Sequence, residues 1–251
     1  MDWVASGLLA LAIGLPAVLV LGVLLAAWRL TRLRWRDIAL GLAAPGSVPP
    51  PVRTALDGAR PLLTALGFQF RYTTASEPAL VSSTERLTFN DVYQHADKHA
   101  HAVVTAASAA GRPAACSIMW VTQLRSGHVL ATVNCYLHKL LTIPAGWLMD
   151  DGYLPGAQQS WRRHLQRLPD NPQAIVTDGV EFFRANKQAV DSFIPQCEKR
   201  GLMQAGDAHW QLRWPAAVVF AFRQVLGQRR AIKAARRAAR RPGSAVKAGV
   251  L

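Results

Sequence analysis

The sequence has little that announces a chemistry. Its three cysteines, Cys116, Cys135 and Cys197, are an odd number without CxxC spacing, which argues against a disulfide framework and a thiolate zinc site. Buried free thiols fit that count and suit a reducing compartment. Neither GxSxG nor a glycine-rich phosphate loop occurs, so no motif places a serine nucleophile or cradles a nucleotide. Ser82, Ser83, Cys116 and Cys135 have no base set beside them by any motif, and a nucleophile needs one within hydrogen-bond reach. Internal repeats are absent, and no set of motifs points to a family.

Charge is missing from one long stretch. Residues 3–28 are uncharged and rich in Leu, Val and Ala, with Trp3 and Trp28 at the ends. At about 1.5 Å per residue such a helix exceeds the roughly 30 Å of a bilayer's hydrocarbon, and aromatic residues belong at its two interfaces. Asp2 is the only charge before the run, whereas Arg29, Arg32, Arg34 and Arg36 follow within eight residues. A cleaved leader would have a basic start and a shorter apolar core. The run therefore predicts an uncleaved, single-pass anchor in the cell membrane, with the N-terminus outside and the remaining chain cytoplasmic.

The net charge of +14 is concentrated at the ends. Four arginines form a collar after the apolar run, and nine cations lie from Arg223 to Lys247. Between Asp37 and Phe222, sixteen cations face fourteen acids, so the basicity belongs to two patches and not to the folded body. The organisation read from this is a membrane helix over 1–28, a basic collar and Pro-rich linker over 29–51, an α+β domain over 52–212, and a basic amphipathic helix and tail over 213–251.

Within the domain, Leu56, Ala59, Leu62, Leu63 and Leu66 followed by Gly67 predict a short helix. Phe68, Phe70 and Tyr72 alternate with polar residues as a strand does, and a further short strand is read over 79–83. Val92, Tyr93, Ala96, Ala100, Val103, Val104 and Ala107 predict an amphipathic helix over 89–110 that ends at Gly111. Two β-rich runs, 115–124 and 129–138, flank Arg125-Ser126-Gly127-His128 as a hairpin, and 140–149 continues the meander to a turn at 150–152. Trp161, Leu165 and Leu168 mark a helix stopped by Pro169. Asp178 and Glu181 open another helix, which Pro195 kinks or divides before Gly201. The fold class is α+β, an antiparallel meander sheet packed against helices.

Residues 214–226 are apolar apart from Arg223 and Gln224. The run is too short to span and suits an interfacial or core-docked helix. Helical continuation puts Arg229, Arg230, Lys233, Arg236, Arg237, Arg240 and Arg241 within an arc of about 140°. Together with Arg29, Arg32, Arg34 and Arg36 they are the candidate contacts to anionic headgroups. The competing readings of the tail are a solvated segment that only reinforces topology, and nucleic-acid contact. The latter ranks lowest because no aromatic beyond Phe222 could stack on bases.

Asp91, His95 and His99 would form a ladder on a helix, and adjacent rungs could chelate one ion. No third ligand accompanies them, so surface histidines are the default and no metal or cofactor is implied. Trp120, Trp147, Trp161, Trp210 and Trp214 read first as core or interface, and only second as pocket lining. The leading expectation is a non-enzymatic adaptor at the cytoplasmic membrane face, with membrane lipids and a protein as partners. An enzyme acting on a lipid or envelope substrate ranks second, and a membrane-attached nucleic-acid binder third.

Overall fold

The computed structural model describes residues 2–44, 46–77, 81, 87–107, 115–133, 146–150, 156–171, 175 and 179–223, with side chains of the first helix described at Gly14 and from Pro16 onward. That helix, α1 (Asp2–Thr31), has Pro16 inside it and no polar face. Among the described residues no helix is long and apolar enough to cross a membrane.

The body is a mixed α+β fold built on a seven-stranded sheet. The strands are β1 (Leu40–Leu42), β2 (Phe68–Ser76), β3 (Thr88–His95), β4 (His101–Ala107), β5 (Ala115–Gln123), β6 (Val129–Val133) and β7 (Trp147–Asp150), arranged in chain order. Neighbours pair antiparallel from β1 to β6, and β7 then lies parallel to β6. A meander continuing into β7 is therefore incorrect. Parallel pairing requires the chain to return to the other end of the sheet before re-entering it, and residue spacing does not report that return.

One sheet face is covered by α2 (Pro50–Ala65) and α3 (Ala157–Leu165). Pro50 and Pro51 occupy the first turn of α2, where a missing N–H costs nothing. Val52, Leu56, Ala59 and Leu63 recur at helical spacing and are fully buried against Phe68, Phe89, Ile118 and Trp120. Each large apolar side chain in this layer contributes about 1.5–3 kcal/mol by leaving water. Gly67 ends the turn after α2 at φ +87°, and a Cβ there would lie 3.1 Å from His95 Nε2, so glycine meets both demands. The bulge between Phe70 and Tyr72 turns β2 over, so that Thr73 reaches Asp91 beneath α2 while Tyr72 packs against Phe183.

The opposite face carries Val92, Val103 and Val121 under Phe182, from α4 (Gly179–Asp191). Next come α5 (Phe193–Lys199) and the small hairpin of β8 (Met203–Ala205) and β9 (Trp210–Leu212). The last described element is α6, residues 214–223. The break between α4 and α5 falls at Ser192. Pro195 lacks an N–H and its ring crowds the carbonyl four residues earlier, which moves the division upstream of the proline itself.

The helix expected over 89–110 is the second correction. Residues 88–107 form the β3–β4 hairpin, with Thr88 opposite Ala107 and Gln94 opposite His101. Phe89, Asp91 and Tyr93 point to the α2 side while Val92 faces α4. The reversal is closed by His95 N donating to Ala100 O at 2.8 Å, and His99 sits at φ 50° within it. The strand expected over 79–83 falls mostly outside the described residues, as do 134–138, 140–145 and the turn at 151–152.

Candidate membrane-facing surface

A third core lies at the foot of α1. Val23 and Ala27 of α1 share it with Trp35, Ile194, Cys197, Met203, Leu212, Ala217 and Ala221. Four-residue spacing puts Val23 and Ala27 on one stripe of α1, and likewise Ala217 and Ala221 on α6. Trp35 and Trp210 tie the collar to β9 through two backbone bonds, Trp35 N to Trp210 O at 2.8 Å and Trp210 N to Trp35 O at 2.7 Å. The collar thus runs straight onto the domain, and β1 adds to the sheet edge against β2.

Away from this stripe α1 exposes its apolar side chains. Val18 is 69 % and Leu21 67 % exposed, and Val20, Leu24, Leu25 and Trp28 are open as well. Chain entry at the collar carries the predicted cations. Arg29 lies in the last turn of α1, where the helix dipole favours a positive charge. The Arg32 guanidinium stands 3.9 Å over the Trp28 ring. The carbonyl of Arg34 accepts from Val81 N at 2.9 Å, and Arg36 pairs with Glu77 at 2.7 Å. Arg229, Arg230, Lys233, Arg236, Arg237, Arg240 and Arg241 lie outside the described residues.

Asp91 and His95, two of the residues considered for chemistry, are used in packing. Asp91 is fully buried and is gripped by both guanidinium nitrogens of Arg53, which also reaches Asp57 at 3.1 Å. Thr73 Oγ1 donates to Asp91 Oδ1 at 2.7 Å. The hydrogen bond with Asp91 raises the Arg53 pKa above its ordinary value. His95 lies near Phe68 and Trp161, and its Nδ1 accepts from Asp97 N and Lys98 N; burial lowers its pKa. Along a strand, residues four apart are about 13 Å distant, so Asp91, His95 and His99 make no ladder. Among the described residues no three His, Cys, Asp or Glu side chains converge.

Two buried histidines escaped the sequence reading. His164 of α3 lies between Thr122 Oγ1 at 2.9 Å and Thr132 Oγ1 at 3.1 Å, and burial pushes its pKa down to about 3. Its position three residues after Trp161, on the face that Trp161 turns inward, was the available signal. Beside it, Trp120 Nε1 donates to Ser160 Oγ at 2.7 Å. Arg167 donates to Ala131 O at 2.6 Å, to Thr132 Oγ1 at 2.8 Å and to Leu148 O on β7. His101 stacks on Phe182 with ring centres 3.8 Å apart and planes 3° from parallel; burial lowers its pKa to about 4. Burial likewise raises the Cys116 thiol to about 11, well away from a reactive thiolate. Cys135, Ser82 and Ser83 are outside the described residues.

Comparison with family models, curated proteins and solved structures finds no match to this chain.

Proposed function

We propose that the chain is a single-pass membrane protein whose α1 is the anchor and whose α+β body is a cytoplasmic interaction domain. The observation that carries this reading is α1 itself. It is a 30-residue helix, about 45 Å long at 1.5 Å per residue, and Val18, Leu19, Val20, Leu21, Leu24 and Leu25 stand open away from the stripe that meets the body. In water such a surface is an aggregation hazard, whereas in a bilayer it is at equilibrium. Arg29, Arg32, Arg34 and Arg36 follow the apolar run within eight residues, which supports a cytoplasmic body.

A binding role, rather than catalysis, is supported by where the ionisable groups sit. Asp91 is neutralised by Arg53, His164 is held between two threonines and His101 lies under Phe182. Their charge and hydrogen bonding serve the joints between helices and sheet. The collar cations and the basic tail are proposed to rest on anionic headgroups, each contributing about 1 kcal/mol near the surface. An enzymatic reporter fused after Leu251 tests the arrangement: activity in the cytoplasm is expected, and activity only on the outer side overturns the orientation.

A further inference from the structure

The exposed side of α6 is the least explained apolar surface of the body. Its inner stripe is consumed by the core at the foot of α1, through Ala217 and Ala221. On the other side Trp214, Val219 and Phe222 are each about half exposed. At 100° per residue these three fall within an arc of about 140° that leaves out Ala217 and Ala221, although Val218 inside it is partly buried against the same core. A helix docked on a protein core by one face, with an apolar second face, requires a second apolar neighbour.

We propose that this neighbour is lipid, so that α6 is a second membrane-contacting element lying beside α1 at the level of the headgroups and upper acyl chains. The inference rests on the anchor reading of α1. Three observations select lipid over a protein partner. The inner stripe of α6 shares a core with Val23 and Ala27 of α1, and both helices carry exposed apolar side chains away from that core. Trp28 lies one turn before the end of α1 and Trp214 begins α6, which places an exposed indole at the foot of each helix, the position aromatic belts take at a bilayer surface. Cations flank these indoles: Arg32 over Trp28, Arg29 in the last turn of α1, and exposed Arg213 immediately before Trp214.

At that level an open pocket of about 590 Å³ is lined by Thr31, Gln204, Gln211, Arg213 and Trp214, among others. Its amides and guanidinium are donors suited to a phosphate headgroup, and its indole suits the glycerol and upper chain beneath.

The test uses the full-length chain reconstituted into phosphatidylcholine vesicles containing phosphatidylglycerol. An encoded fluorescent amino acid replaces Val219, Val20 of α1, or Leu148 of β7, one at a time. Quenching is measured with a nitroxide on the lipid acyl chain and with aqueous iodide. The proposal expects loss of most emission to the lipid nitroxide at Val219 and Val20, and quenching at Leu148 by iodide alone. Lipid quenching at Val20 with iodide quenching at Val219 overturns the role of α6 and leaves the anchor standing. Protection of Val219 from both quenchers means protein covers that face, which also overturns it. Iodide quenching at both Val20 and Val219 removes the anchor and this inference together.

Discussion

Asp91 is the most consequential single residue of the body, because it carries a carboxylate under α2 with no access to water. Arg53 supplies both charge compensation and geometry. Arg53→Ala leaves that carboxylate unpaired, and the expected loss is about 3 kcal/mol, at the low end for a broken buried pair because Arg53 itself reaches solvent. Urea unfolding of the detergent-solubilised chain measures it. The double variant Arg53→Met with Asp91→Leu is expected to lose less than Arg53→Ala alone, since no orphan charge remains. The two buried histidines set a pH dependence of their own. Both have folded pKa values below the ordinary 6.5, about 4 for His101 and about 3 for His164. As pH falls, the unfolded chain takes up these protons first. Their contribution is complete above about pH 6.5 and is lost between there and about pH 4 for His101, and down to about pH 3 for His164. For His101 this loss is roughly 2–3 kcal/mol. His101→Phe, which keeps a ring against Phe182, should flatten the wild-type fall in Tm between pH 6.5 and 4; an unchanged slope contradicts the assignment.

At the scale of elements, Arg167 joins three pieces, since from the end of α3 it reaches the β6 backbone and the Leu148 carbonyl on the edge strand β7. Arg167→Met keeps much of the stem and removes the donors, and hydrogen bonds from a charged donor are worth about 1.5–3 kcal/mol. Amide exchange over 147–150 should accelerate by roughly 10- to 100-fold, while β3 and β4 keep their protection. Uniform acceleration across the sheet would show that Arg167 supports the fold as a whole and not this joint. The elements that sequence could reveal are those whose punctuation is local. The β5–β6 hairpin was legible because Gly127, at φ +80°, sits between two β-rich runs. By contrast, residues 88–107 present alanines and valines that satisfy both helical and alternating spacing, and their reversal uses Ala96, Asp97, Lys98 and His99 without glycine or proline. Side-chain bonds from His95 and a left-handed His99 replace the usual turn residues. The grip of Arg53 on Asp91 spans 38 residues, a separation that no local spacing encodes.

For the whole molecule, the central relation is between α1 and the body. The long apolar helix α1 was legible because length and hydropathy are properties of contiguous sequence. The seating of α1 was not, because it depends on Trp35 meeting Trp210 and on Val23 and Ala27 sharing a core with Ala217 and Ala221, contacts that close nearly the full length of the chain. This seating makes α1 part of the fold: Ala27→Leu, placed in a fully buried position, should overpack the foot by about 1–3 kcal/mol and lower the Tm of the solubilised chain, whereas Val20→Leu on the open side should leave it unchanged. The most direct measurement is the extraction of membranes carrying the full-length chain with alkaline carbonate, followed by flotation. The account predicts that the chain stays with the floated bilayer and is released only by detergent. Recovery in the carbonate supernatant would contradict it.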